Sequence, residues 1–152
     1  MREKELAPAR QATGGGPSAA PVRTASAARA RARAVVDARW NRAGRPAREE
    51  DVIDLLLVVS ELVTNALRHG GGLAGFETTP VPDGIRLAVH DHSDEVPAVL
   101  GGPESGPAGH RVGGYGWPLV LRLAQEIVIE KRPAGGKAIR VSLPIRTTDR
   151  PS

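Results

Sequence analysis

The longest apolar run in the chain holds Val52, Ile53, Leu55, Leu56, Leu57, Val58, Val59, Leu62, Val63, Ala66 and Leu67, and within it Val52, Leu55, Val59, Leu62 and Ala66 recur at three- and four-residue intervals. That period belongs to an amphipathic helix, predicted over residues 48–69, with Gly70 as its C-terminal cap. Upstream, Val35, Val36 and Trp40 form a narrower stripe in an Ala- and Arg-rich stretch. It predicts a first helix over residues 24–41, capped by Thr24 or Ser26 and ended by Gly44 and Pro46. After residue 72 the period changes to two. Strands are expected over residues 73–79 and 85–91, joined by Pro80-Val81-Pro82-Asp83-Gly84, whose Asp-Gly pair signals a hairpin. Ile85, Leu87 and Val89 then share one face and Arg86, Ala88 and His90 the other, and Asp91 ends the strand on the apolar side. Residues 94–112 are rich in Gly and Pro without a period, which predicts a mobile lid. A third helix is expected over residues 116–124. A second hairpin, residues 127–131 and 137–143, turns at Pro133-Ala134-Gly135-Gly136. These elements assemble as an α+β two-layer sandwich with helices on one face of a mainly antiparallel sheet.

Composition narrows the picture. At 152 residues the chain suits one domain, and with 3% aromatic residues its core must be built from Leu, Val, Ile and Ala. Residues 1–21 read as a disordered arm, 22–146 as the folded domain and 147–152 as a flexible tail. No apolar stretch is long enough to span a bilayer and the N-terminus lacks the apolar run of a secretory signal, so a soluble cytoplasmic protein without a membrane partner is expected. The absence of cysteine excludes disulfides, catalytic thiols and thiolate zinc sites. The net charge of +4 is uneven: residues 1–50 hold eleven Lys or Arg against five acids, so the basic excess lies in the arm and first helix. Nucleic acid is the partner such a charge first suggests. The bias toward Arg and Ala, however, is what a GC-rich coding sequence produces, and no zinc finger, basic zipper or aromatic RNA-binding pattern accompanies it.

The chemistry-bearing residues lie elsewhere. Glu61 and Asn65 stand one turn apart on one face of the second helix, at the edge of its apolar stripe. A carboxylate and an amide there need partners. A hydrated magnesium ion with nucleotide phosphates suits both, since an amide oxygen is a hard ligand and a carboxylate can hold or activate a hydroxyl. Asp91 follows a strand, and Gly113-Gly114-Tyr115-Gly116 opens a helix whose first turn accommodates Pro118. Glycines at 114 and 116 would let backbone approach phosphates, with the helix N-terminus directing N–H groups at them. His90 and His92 with Asp91 and Asp94 also invite a metal-site reading, but two histidines without a third convincing ligand are more often a polar strand end.

The order of these motifs, a helix with E-x-x-x-N, a strand ending in Asp and a G-x-G opening a helix, resembles the ATPase domain shared by gyrase, the heat-shock chaperone, histidine kinases and mismatch-repair proteins. It is most similar to the short bacterial branch of anti-sigma-factor serine kinases and their stand-alone ATP-binding relatives, over residues 22–144. The closing segment Gly136-Lys137-Ala138-Ile139-Arg140-Val141-Ser142-Leu143-Pro144 resembles the family's last strand. The resemblance implies a Bergerat-type ATP-binding fold with ATP and Mg2+ as ligands. It implies Asn65 as the metal ligand, Glu61 as general base, and Asp91 as acceptor for the exocyclic amine of adenine. Gly114 and Gly116 would line the phosphates, with Gly113 and Arg111 assisting. It further implies a small antagonist protein and a sigma factor as partners, and a homodimer, which the family's kinases commonly form. Ser93 and Glu95 depart from the family's D-x-G-x-G pattern, and base preference is the property this touches. At this length neither a phosphoacceptor helix nor a second domain is expected, which argues against a histidine-kinase role.

Overall fold

A computed structural model describes residues 20–96 and 116–148. Most of the predicted arm, the lid from residue 97 onward, Arg111, Gly113, Gly114 and the last four residues of the tail lie outside the described residues. Three α-helices and four strands follow in the order α1 (Ala25–Val36), α2 (Glu49–His69), β1 (Leu73–Val81), β2 (Gly84–Asp91), α3 (Gly116–Leu123), β3 (Glu126–Lys131) and β4 (Lys137–Pro144).

Thr24 caps α1: its backbone is extended and its Oγ1 accepts the Ala27 N–H at 3.0 Å. Of the two caps the pattern allows, Thr24 is therefore the one used. The helix runs on into a π-helical turn, Asp37–Asn41, closed by the Arg42 N–H on the Asp37 carbonyl. Trp40 in this turn is buried beside Val36. Between the helices Arg29 donates to Ser60 Oγ, which itself donates to the Leu56 carbonyl.

In α2 the acids Glu49, Glu50 and Asp51 occupy the first turn, and Arg68 and His69 the last, the arrangement that the helix dipole favours. Leu55, Val58, Val59, Leu62, Val63 and Ala66 are buried, whereas Ile53, Leu57 and Leu67 are exposed. The inward stripe is thus narrower than the apolar run. Gly70 is the C-cap, its N–H returning to Ala66 O, and the left-handed reversal follows at Gly71 (φ 73°).

The strands form one antiparallel sheet in the order β1-β2-β4-β3, with the helices packed on one face, as the alternation predicts. Inward-facing Ile85, Leu87 and Val89 of β2 and Ile139, Val141 and Leu143 of β4 meet α2, Trp117 and Val120 in a single core. The first hairpin is tighter than its sequence suggests. Val81 pairs with Gly84, so Pro82 and Asp83 alone make the turn. Gly84 lies in the strand and owes its identity to close approach, because a Cβ there would strike the Leu143 carbonyl.

Candidate functional site

Where the C-terminal end of α2, the ends of β2 and β4 and the start of α3 converge, a cleft holds about 490 Å3 of non-atom space, its open mouth included. Its walls divide by chemistry. Leu62, Ala66, Val89, Trp117 and Ile139 supply an apolar surface, and Asn65, His69, Asp91, Glu95 and Lys137 supply polar groups. An apolar slot with a few convergent polar groups is the usual form of a small-ligand site.

Asn65 reaches this cleft from α2 because it lies three positions beyond Leu62 and one before Ala66, at the border of the buried stripe. Its Nδ2 is buried and has no hydrogen-bond partner among the described residues. Since the two ends of an amide exchange by a half-turn of the side chain, the finding is an amide with one polar end unmet at the cleft wall. Such a group costs free energy unless a ligand satisfies it.

Asp91 enters from the end of β2 and is 4% exposed. Its Oδ1 accepts the Ser93 N–H at 3.0 Å, and its Oδ2 lies 2.9 Å from the ammonium of Lys137. Two glycines make room for it. A Cβ on Gly70 would lie 2.6 Å from Asp91 Oδ2, and one on Gly136 would collide with the Asp91 carbonyl oxygen. The loop after Asp91, where Ser93 and Glu95 stand in place of glycines, is held by another set of bonds. Ser93 Oγ accepts the Glu95 N–H, Asp94 accepts the Gly136 N–H, and Arg132 donates to the Asp91 carbonyl. The β3–β4 hairpin therefore clamps the segment that the departure from the glycine pattern alters.

Lys137 is the site residue that sequence reasoning missed. It is 4% exposed, sits directly opposite Asp91 in the β2–β4 register, and donates to both Asp91 and the Ser93 carbonyl. A signal for it exists: Lys137 is in phase with Ile139, Val141 and Leu143, so strand alternation puts its charge on the buried face.

The remaining expected residues fare differently. Gly116 begins α3, directly before Trp117, which lines the cleft. Glu61 is half-buried on α2, one turn before Asn65, and is not among the residues that line the cleft. Gly113 and Gly114 lie outside the described residues. His90 has Glu77 at 3.7 Å, and His92 is exposed, with its backbone N–H donating to the Gly70 carbonyl. Among the described residues no group of three or more His, Asp or Glu side chains is arranged to hold a metal ion.

This donor set fits a magnesium nucleotide. One unmet amide is too little to hold a bare cation, but magnesium commonly takes one or two protein ligands and completes its shell with phosphates and water. The apolar walls and the Asp91–Lys137 pair likewise offer a flat base both a packing surface and polar partners.

A family model described as the histidine kinase-like ATPase domain matches residues 21–143, a span that runs from before α1 to the last residue but one of β4. No curated protein matches the chain.

Proposed function

Because the chain belongs to the histidine kinase-like ATPase domain family, we propose that it is a magnesium-dependent, ATP-binding regulatory protein that acts as a serine/threonine kinase of the anti-sigma-factor type on a small antagonist protein. The observation that carries the reading is the unpartnered amide of Asn65 in a cleft that also presents Asp91. In this reading Asn65 holds the metal through its side-chain oxygen, and Asp91 accepts a hydrogen bond from the base. Gly113, Gly114 and Gly116 are the residues that would let backbone N–H groups approach the phosphates in this reading. Magnesium ATP supplies the transferable phosphoryl group together with the metal charge that neutralises it. Glu61 orients the attacking hydroxyl and takes its proton.

One observation favours a second reading, a nucleotide-gated protein-binding module without phosphotransfer. Glu61, the residue that transfer requires, does not line the cleft. The two readings share ATP and differ in whether a partner is modified. A sigma factor and a homodimer belong to either. No helix among the described residues is long and apolar enough to cross a membrane, and the Arg-rich first helix suits a docking face for protein better than one for nucleic acid.

Calorimetric titration of ATP with magnesium into the wild type and Asn65→Ala tests the common premise. Binding by the wild type that the variant loses by about a hundredfold is expected, the scale of one lost charge-assisted ligand. Transfer of labelled γ-phosphate to a serine-bearing partner, abolished in Glu61→Ala while ATP binding persists, then selects the kinase. ATP binding without transfer selects the module.

A further inference from the structure

The Asp91–Lys137 pair has a consequence for the ligand. An ionised carboxylate alone accepts hydrogen bonds and donates none. Facing position 6 of a purine, it welcomes the amine of adenine and repels the carbonyl of guanine. Here it is not alone: the Lys137 ammonium lies 2.9 Å from Asp91 Oδ2 and 3.2 Å from Oδ1, and both side chains line the cleft.

We propose that Lys137 sets the base selectivity of this cleft, turning Asp91 from an acceptor that selects adenine into half of a donor–acceptor pair that takes guanine as well as adenine nucleotides. The proposal rests on the nucleotide-binding reading above and concerns which nucleotides the same site admits.

The hydrogen-bond inventory supports it. An ammonium has three N–H groups. One direction is shared between the two Asp91 oxygens and a second goes to the Ser93 carbonyl at 3.2 Å, so a third remains for a ligand. On the carboxylate, Oδ1 already accepts from Ser93 N and from Lys137, which leaves acceptor capacity on Oδ2. One donor and one acceptor thus stand side by side at the base end of the cleft. Adenine presents the complement as its 6-amine next to N1, and guanine presents it as O6 next to N1–H. The two edges differ by exchange of donor and acceptor, so each base meets the fixed pair in its own pose: adenine with its amine on Asp91 and N1 on Lys137, guanine shifted so that O6 meets Lys137 and N1–H meets Asp91. Lysine on guanine O6 is among the common specific contacts to that base.

The pair is also held in place. Strand register sets Asp91 opposite Lys137, and the missing side chains of Gly70 and Gly136 allow the backbone to close around Asp91. With side-chain exposures of 5% and 6%, neither charge can turn out to solvent without opening the hairpin ends. A buried donor that cannot leave acts on every base that enters.

Titration of magnesium ATP and magnesium GTP into the full chain, its Lys137→Met variant and its Lys137→Gln variant tests this, each protein first shown folded by a cooperative thermal transition. The wild type should bind GTP within about tenfold of ATP. In Lys137→Met, GTP binding should fall by about a hundredfold or more while ATP binding changes less than tenfold, since a site with an unanswered carbonyl discriminates strongly. Lys137→Gln, which keeps an N–H donor without the charge, should recover part of the GTP binding. A wild type that prefers ATP more than a hundredfold would overturn the proposal even if the Met variant failed to fold. So would a Met variant whose GTP-to-ATP ratio is unchanged. A folded wild type that binds neither nucleotide at millimolar concentration would instead overturn the nucleotide reading itself, and this proposal with it.

Discussion

Gly70 has two duties, and only one is visible along the chain. It caps α2, a role the hydrophobic period announces by stopping at Leu67. Its second duty is space, because Asp91 Oδ2 fills the position next to where a Cβ would be. Gly70→Ala therefore forces backbone or the Asp91 side chain to move, at a cost of about 1–3 kcal/mol for overpacking. A lowered Tm is expected together with nucleotide binding weakened by about tenfold, the two read by calorimetry on the same sample. Retained affinity with a lowered Tm would show that Asp91 keeps its place when Gly70 does not. Gly136 works the same way against the Asp91 backbone, although along the chain it reads as a plain turn residue.

Between elements, the segment after β4 is tied to the start of α2 by a buried carboxylate. Asp51 accepts from Arg146 through the backbone N–H at 2.8 Å, Nε at 3.1 Å and Nη2 at 2.7 Å. Ala47 bridges Thr147 beside it, and the Arg48 N–H reaches the Arg146 carbonyl. Burial by itself pushes the Asp51 carboxyl up, but the hydrogen bonds and charge of Arg146, helped by Arg48, outweigh it and hold the group below its usual 3.8. A carboxyl depressed in the folded state stabilises the fold above its unfolded pKa and loses that contribution as pH falls through the folded one. Stability should therefore be flat from neutrality to about pH 5 and decline below pH 4, in step with the ordinary carboxylate range. Asp51→Asn should cost about 2 kcal/mol at pH 7 and make the acid decline shallower, as measured by urea unfolding at pH 7 and pH 3. An acid limb of unchanged slope would assign the decline to other carboxylates.

For the whole molecule, core and cleft are continuous. Trp117 is 1% exposed, belongs to the core cluster and lines the cleft beside Ile139 and Val89. In a chain with so few aromatic residues it is the largest fully buried side chain. Trp117→Ala should destabilise by about 3–5 kcal/mol through cavity formation and, by removing a wall, should also reduce nucleotide affinity. Differential scanning calorimetry with and without magnesium ATP separates the two. Ligand at a hundred times its Kd adds about 2.7 kcal/mol to the wild type, and a variant that has lost the wall should show a smaller gain at the same concentration. An equal gain in both would place the ligand away from Trp117.

The sequence by itself determined which elements form, because helix and strand periods are local: α2, both hairpins and the α+β sandwich follow from positions of Leu, Val and Ile that repeat within a few residues. It also determined the polar side chains at the helix and strand ends, Asn65 and Asp91, since each breaks an apolar pattern where the pattern would otherwise continue. The tertiary structure alone decided what those residues face. The narrowing of the α2 stripe, with Ile53 and Leu57 left outside, depends on how much helix the sheet can cover. Likewise, the Asp91–Lys137 pair joins residues 46 positions apart, and the Asp51–Arg146 pair joins residues 95 apart. Long-range pairing depends on register and packing, which no local period encodes. Phase along β4 marks Lys137 as inward, but only the antiparallel register with β2 gives it a carboxylate to meet.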